Sequence, residues 1–316
     1  NYEEEKMELS LLLMQEIIKL FAIMVMGYVI VKTGLLKFSD SKSLSVIMAY
    51  LINPCVILNA FQVDATPEVQ KGLLLACLAA AAVHILFLAV TAILKKPLHL
   101  DVIERASLIY PNAGILVIPL VQRLLGQEYV IYSSAFIAIQ LILLWTHCKN
   151  MLCAEQSIDW KKIVLNVNII SIAVGIIFFS LRLEFPSGVQ DVLGSVSNMI
   201  GPVGMLIAGM VIADKSLLSV FSRKRSYLSA ALRLLVYPIL VLILMKIICN
   251  ISGAAETENI LLTVYLASIT PACAMITTMA QLYDRDAAYA SSLYVLTTLL
   301  SILTMPVMVF LFQIVM

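Results

Sequence analysis

Charge is scarce in this chain. Only 13% of its 316 residues are Asp, Glu, Lys or Arg, whereas an average soluble domain carries about 25%. Hydrophobic residues make up 61% of the sequence, and the mean hydropathy is +0.99. Apolar runs of about 20 residues recur along the whole length, and one such run spans a hydrocarbon core of roughly 30 Å. The composition therefore predicts an all-α polytopic membrane protein.

Long hydrophilic stretches and nucleotide-binding motifs are also missing. The longest connectors, around residues 148–162 and 214–226, are too short to hold a folded domain. The sequence has neither a Walker-type Gly-Lys-Ser/Thr loop nor a Rossmann glycine fingerprint. It also lacks the Gly-x-Ser-x-Gly elbow of a rhomboid-like protease and the paired carboxylates of a prenyl-transfer enzyme. We therefore expect no enzyme, no cofactor, no nucleic-acid partner and no direct drive by ATP.

Acidic residues are absent from the interior of the apolar runs. Asp64, Glu104, Glu128 and Glu184 all lie near run ends, and a cation/proton antiporter needs a buried carboxylate to exchange its ions. The cysteines and histidines show no metal-ligand spacing, so we expect buried thiols and no bound metal. The sequence thus favours a transporter that does not exchange cations at a carboxylate.

His84 and Arg233 are basic side chains inside apolar runs. His84 is central in the third run, where a histidine is more often a packing residue, and it is our candidate for proton coupling. Arg233 lies one and a half turns inside the eighth run, close enough to the cytoplasm for us to expect its side chain to reach the membrane interface.

Ten membrane spans can be placed from the apolar runs. They are residues 9–31, 43–62, 72–94, 102–124, 129–148, 162–181, 190–213, 227–250, 257–281 and 288–314. If the spans alternate in direction, most basic loop residues lie on one side of the membrane. That side has Lys32, Lys37, Lys42, Lys95, Lys96, Arg105, Lys149, Lys161, Lys162, Lys215, Arg223, Lys224, Arg225 and Arg285, and the other has Lys6, Lys71, Arg123 and Arg182. The positive-inside rule then predicts a multi-pass protein of the cell membrane with both termini outside.

The N-terminal segment has no basic n-region and no small-residue cleavage site before the first apolar run. We therefore expect no removable signal peptide, and Met7 is a candidate natural start.

The chain divides into two halves of five spans, residues 1–155 and 156–316. Because five is odd, the second half enters the membrane from the opposite side, and the halves are predicted to be inverted repeats. Helix breakers recur at matching positions: Asn53-Pro54 in span 2 and Gly201-Pro202 in span 7, and Pro111 in span 4 and Pro271 in span 9. Interrupted helices at matching positions of two halves indicate the midplane site of a transporter.

The breaks in spans 4 and 9 are predicted to face each other and to form a binding site. A broken membrane helix survives only where it is buried in protein or lines a cavity. Each second half-helix presents unpaired backbone N–H groups and a positive dipole end near the midplane, which suits an anionic group such as a carboxylate. The predicted binding residues are Pro111, Asn112, Ala113, Gly114, Thr270, Pro271, Ala272, Cys273, Asn53 and Gln140. The alternative is that the prolines only kink packed helices, and that Asn53 and Gln140 only join helices together.

Four stretches resemble the auxin efflux carrier family. PNAGILVIPLVQRLLG, from Pro111 to Gly126, resembles its fourth-helix signature, and the segment from Ile269 to Phe310 resembles its ninth and tenth helices. Residues 50–54 and 201–209 are similar to its second and seventh helices. The chain has Val117 where the family usually has glycine, and it lacks the long cytoplasmic loop of the plant auxin exporters. The compact bacterial members, associated with malate, malonate and similar carboxylates, are the closer comparison.

The resemblance implies a specific architecture and mechanism. The fold would be shared with bile-acid transporters and sodium/proton antiporters, with spans 4 and 9 crossing at Pro111 and Pro271 and with Asn112 binding a substrate carboxylate. Spans 1, 2, 6 and 7 would form a scaffold and homodimer interface, and spans 3–5 and 8–10 a mobile transport domain.

The leading functional hypothesis is a secondary active or facilitative transporter of a small organic anion, malate- or malonate-like or auxin-like, that works by an elevator-type movement. The alternatives are a sodium-coupled symporter of a bile-acid-like anion and a membrane sensor that does not transport.

Overall fold

The computed structural model describes residues 2–153, 161, 164–213, 222–252 and 257–316. Every regular element in these residues is helical, so the chain is an all-α protein. The twelve helices of the described residues are α1 (Tyr2–Lys32), α2 (Phe38–Ala60), α3 (Pro67–Lys95), α4 (Val102–Ile109), α5 (Ala113–Leu124), α6 (Gln127–Leu152), α7 (Val167–Ser180), α8 (Ser187–Ala213), α9 (Lys224–Ser252), α10 (Thr257–Ile269), α11 (Met275–Leu282) and α12 (Ala287–Val315).

Seven of these helices are long and apolar enough to cross a membrane, judged by length and composition. They are α1, α2, α3, α6, α8, α9 and α12, and α7 and α10 are shorter apolar helices. The polytopic membrane class expected from the composition is confirmed. The count of ten spans stays a prediction, and so does the boundary at residues 155 and 156, which lies outside the described residues together with Lys162 and Lys215.

Two helix pairs are separated by the predicted breaks. α4 ends at Ile109 and α5 begins at Ala113, whereas α10 ends at Ile269 and α11 begins at Met275. Proline has no N–H to continue the helical ladder, and it forces the residue before it out of the helical region. Tyr110 accordingly has extended backbone angles, with φ −107° and ψ 106°.

Three long helices contain a wider π-helical turn. These segments are Met48–Ile52 in α2, Leu144–Cys148 in α6 and Leu232–Val236 in α9. A fourth irregularity is a turn at Asn198 and Met199, which divides α8 into two straight parts. Such insertions in a helix re-aim side chains and often occur at functional sites. Here each π segment contributes a residue to the region around the two breaks.

The helices pack in two groups. α1 lies along the second part of α8, while the first part of α8 and α7 pack against α2. In the other group, α3 contacts α6 and α10, α9 contacts α10, and α11 contacts α12. The groups meet where α5 and α12 contact α1 and where α5 contacts α8. The crossing of the broken helices lies within the second group and faces the first.

Candidate functional site

The two helix breaks pair with each other as a short antiparallel bridge. Pro111 lies opposite Ala272, the backbone N–H of Asn112 donates to the carbonyl of Pro271 at 2.8 Å, and the N–H of Cys273 donates to the carbonyl of Tyr110 at 3.0 Å. Each break therefore supplies hydrogen bonds that the other lost from its helix. This exchange satisfies the membrane requirement that buried backbone groups find protein partners.

Arg233 holds the other side of this crossing. Its guanidinium donates to the carbonyls of Leu108 at 3.0 Å, Ser268 at 2.5 Å and Thr270 at 2.8 Å. These carbonyls belong to the C-terminal ends of α4 and α10, where the helices leave acceptors unpaired and carry a partial negative charge. The cation thus links the ends of both first half-helices.

The expected position of Arg233 at the membrane interface is therefore wrong. The side chain is 1% exposed, and its guanidinium also lies over the ring of Phe87 at 5.2 Å from the ring centroid. The physical reason is that two helix C-termini offer several convergent carbonyls, which replace water as hydrogen-bond partners. The position of Arg233 within an apolar run of the sequence does not show that carbonyls of two distant helix ends lie close to it.

Contacts with two more helices, α6 and α12, hold the bridge in place. The hydroxyl of Thr297 in α12 accepts from the N–H of Ala272 at 3.1 Å. The amide nitrogen of Gln140 in α6 donates to the carbonyl of Pro111 at 2.8 Å. The hydroxyl of Tyr110 donates to the carbonyl of Leu143 at 3.2 Å, and it forms a 2.8 Å hydrogen bond with Nδ1 of His147. The crossing is thus a fixed element and not a loose gap between helices.

A cavity of about 180 Å³ lies beside the crossing. Its wall is lined by Ser45, Met48, Ala49, Asn53, Ile57, Asn112, Gly114, Ile118, Ile137, Gln140, Leu141, Leu144, Asn168, Ile207, Cys273, Ala274 and Met275. The structure brings together five of the predicted binding residues here, namely Asn53, Asn112, Gly114, Gln140 and Cys273. The other five are not in the lining. Pro111, Ala113, Thr270, Pro271 and Ala272 are buried behind it.

The first turns of α5 and α11 both open on this cavity. Gly114 of α5, and Ala274 and Met275 at the start of α11, are part of the lining. Neither N-cap residue, Asn112 or Ala274, caps its helix through a side-chain hydrogen bond. In α11 the N–H groups of Ile276 and Thr277 donate to the carbonyls of Cys273 and Ala274, both at 3.1 Å. Each helix N-terminus carries roughly half a positive charge. The positive ends of two helices therefore lie at a cavity whose lining has no charged side chain.

Four amide side chains from four helices complete the polar part of the lining. Each has a buried atom without a hydrogen-bond partner: Oδ1 of Asn53, Nδ2 of Asn112, Oε1 of Gln140 and Oδ1 of Asn168. Buried polar groups are normally paired, so several unpaired atoms around one cavity indicate a polar ligand or water. Asn168 was not among the predicted binding residues, although an amide inside an apolar run is itself a detectable signal.

His84 lies outside the lining of the cavity. Nδ1 of its ring lies 2.7 Å from the carbonyl of Ala80, one turn earlier in α3, and the ring packs against Phe136 with 4.5 Å between centroids. These contacts are those of a packing residue. Its proposed role in proton coupling stays a prediction.

The fold and the site define a class of protein: a multi-pass membrane protein in which two interrupted helices cross beside a small, mostly apolar cavity with four amide side chains in its lining. Comparison with protein families identifies the particular family. The profile described as membrane transport protein matches residues 12–159 and 149–309, which together span almost the whole chain. The chain belongs to this family of membrane transporters, which includes the auxin efflux carriers, and the resemblance drawn from the sequence is confirmed. No curated protein matches the chain significantly.

Proposed function

We propose that the protein transports a small organic anion across the cell membrane, and that the anion binds in the cavity beside the crossing. The observation that carries this proposal is that two helix N-termini and the unpaired amide nitrogen of Asn112 meet at one cavity. Two half-charges of the same sign amount to about one positive charge, which matches a monoanion such as a carboxylate.

The size of the cavity supports a small cargo. A cavity volume of about 180 Å³ is small beside the roughly 300–1,000 Å³ of pockets for drug-sized ligands. A malate- or malonate-like carboxylate suits this space better than a larger auxin-like or bile-acid-like anion. We therefore place small carboxylates first among the proposed substrates.

We propose ten spans arranged as a five-plus-five inverted repeat. Seven long helices, the α4–α5 and α10–α11 pairs and α7 together supply ten crossings. The matching irregularities support the repeat. α4–α5 and α10–α11 are both broken near a proline and pair antiparallel, while α2 and α8 are irregular just before Asn53 and Gly201. On this arrangement both termini lie outside the cell.

The proposed mechanism is an elevator-type movement of the second helix group against the first. In this proposal α1, α2, α7 and α8 form the scaffold through which the protein dimerises, and α3–α6 and α9–α12 carry the cargo. The division of the packing into two groups, with the cavity lined from both, supports such a movement.

Counterflow in proteoliposomes tests the function. Vesicles loaded with an unlabelled carboxylate should accumulate the labelled compound, and the substitution Asn112→Ala should reduce the initial rate at least about tenfold, because it removes a buried hydrogen-bond donor to a charged group. The exposed Asn198→Ala is the matched control and should behave as the parent.

The same counterflow assay distinguishes the proposed transporter from the two alternatives, a sodium-coupled symporter and a membrane sensor. Uptake that requires a sodium gradient would favour the sodium-coupled symporter, and binding without counterflow would favour the sensor. Transport by Asn112→Ala at the parent's rate would refute the assignment of the site.

A further inference from the structure

Gln140 is the one amide of the cavity whose orientation is fixed by its partner. Its nitrogen donates to the carbonyl of Pro111 at 2.8 Å. A carbonyl oxygen can only accept, so the NH₂ end of the side chain must face Pro111. The oxygen end, Oε1, is therefore the group left over, and it is buried without a partner in a side chain that is 5% exposed and lines the cavity.

An amide oxygen is only an acceptor, so an anionic oxygen cannot pair with it. The partner of Oε1 must bring an O–H or N–H group. The positive helix ends and Nδ2 of Asn112 suit the anionic part of a cargo, whereas Oε1 of Gln140 suits a donor on the same molecule. The cavity thus suits a ligand with two different groups: an anionic group at Nδ2 of Asn112 and the helix ends, and a hydrogen-bond donor at Oε1 of Gln140.

Asn53 and Asn168 supply two further amide groups on the side of the cavity formed by α2 and α7. Each leaves Oδ1 unpaired. Because a half turn of an amide exchanges its donor and acceptor, these two residues adapt to either kind of group. Gln140 lacks this freedom, since a half turn would break its bond to Pro111 and set two acceptors against each other.

We propose that the cargo is a small carboxylate with an O–H or N–H donor a few bonds from its carboxylate, and that Gln140 is the specificity-determining residue that accepts from this donor. The proposal rests on the proposed function. It narrows the substrate class to hydroxycarboxylates, aminocarboxylates and half-protonated dicarboxylates. A site built around a polar group rejects an analogue that lacks it, because the buried group is then left unpaired.

Matched pairs of carboxylates test the inference on the full-length purified protein. The pairs are glycolate and acetate, lactate and propanoate, and malate and succinate, with affinities taken from the concentration dependence of thermal stabilisation. The parent should bind the hydroxylated member of each pair at least about tenfold more tightly. Measuring malate and succinate at two pH values separates a hydroxyl donor from a protonated carboxyl, since only the second is lost as the pH rises.

The substitution Gln140→Met keeps a similar volume and removes the acceptor. It should lower the preference within each pair to about one while acetate and propanoate bind at least as well as to the parent. That second result also shows that the crossing has survived the loss of the bond to Pro111. Gln122→Met is the matched control, because Gln122 pairs with Gln127 away from the cavity, and it should keep the parent's preference.

Equal affinities within every pair in the parent protein would overturn the inference while leaving the proposed function intact. The same holds if Gln140→Met kept the full preference for the hydroxylated members. If none of the six carboxylates bound and none showed counterflow, the proposed function itself would fail.

Discussion

Gly114 is a residue at which the cavity has room for one more atom. A Cβ built on this glycine has no heavy atom within 4 Å, and its backbone angles are those of a normal helix. Neither packing nor backbone strain therefore requires glycine here. The remaining reason for it is access, because Gly114 lies in the first turn of α5 where the N–H groups face the cavity.

The substitution Gly114→Ala should separate function from stability. Alanine favours a helix over glycine by up to about 1 kcal/mol, so the melting temperature should stay the same or rise. Counterflow should fall, because the added methyl group occupies the space in front of the N–H groups. Gly188→Ala in α8 is the control with equally open surroundings, and it should leave transport unchanged. Full activity of Gly114→Ala would show that the cargo does not approach this turn.

Arg233 is the residue with most influence on the crossing. Four hydrogen bonds to three carbonyls depend on one buried guanidinium. Its removal leaves these carbonyls without partners in a site that water does not reach.

Arg233→Leu should destabilise the protein by roughly 3 kcal/mol or more, because each unpaired buried acceptor costs about 1–3 kcal/mol. Arg233→Lys should recover part of this loss, since an ammonium keeps the charge but not the planar fork. Denaturation of the purified protein measures both, with the exposed Arg123→Leu as control. Equal stability of Arg233→Leu and the parent would contradict the role given to this side chain.

At the scale of helices, the closest packing lies between α1 and α8. A Cβ on Gly27 would overlap the backbone of Leu206, and a Cβ on Gly209 would overlap the backbone of Met24 and lie 2.7 Å from the nitrogen of Tyr28. Small residues allow two helices to approach this closely within a membrane. Because backbone atoms cannot move aside as a side chain does, these two glycines fix the distance between the helices.

Gly209→Ala should therefore force α1 and α8 apart and lower the melting temperature by several degrees, even though alanine favours the helix itself. Gly194→Ala lies in the same helix in open surroundings and should be neutral or stabilising. A thermal melt of the two variants beside the parent provides the comparison. An unchanged melting temperature for Gly209→Ala would mean that the pair is not tightly packed.

The positions of the two helix breaks could be predicted from the sequence because each combines a proline with neighbouring polar or small residues, Asn112 and Gly114 in one break and Thr270 in the other. Proline alone does not mark a break, since Pro119 and Pro306 lie inside continuous helices. The partners of the breaks could not be predicted, because they come from distant helices. Nothing local in the sequence indicates that Arg233 reaches two helix ends, or that Thr297 accepts from Ala272.

The π segments could not be predicted from the sequence either. Their sequences, such as Leu144–Cys148 and Leu232–Val236, have no glycine or proline and read as ordinary apolar helix. An inserted residue in a helix is stabilised by the surrounding packing, which a single sequence does not contain. Because this insertion changes which side chains face the cavity, the list of lining residues could be predicted only in part.

At the scale of the whole molecule, the distribution of charge predicts its orientation. Basic residues concentrate in alternate connections, including Lys95 and Lys96 between α3 and α4. The positive-inside rule predicts that these connections are cytoplasmic and that both ends of the chain lie outside.

Labelling with a membrane-impermeant thiol reagent tests this orientation in intact cells. With the native cysteines replaced, a cysteine appended to either end of the chain should react, whereas Lys96→Cys should react only after permeabilisation. The reverse pattern would invert the proposed topology and exchange the sides from which the cavity opens.

The central claim is that cargo binds in the cavity beside the crossing, and Cys273 offers the most direct test. This thiol lies in the lining, and the structure shows it as free. In a variant whose only cysteine is Cys273, a carboxylate that shows counterflow should slow the reaction of the thiol with a small methanethiosulfonate. The same carboxylate should not protect a variant whose only cysteine is Cys249, which lies outside the lining. Protection of Cys273 alone is the predicted result, and unprotected Cys273 in a variant with full counterflow would contradict the account.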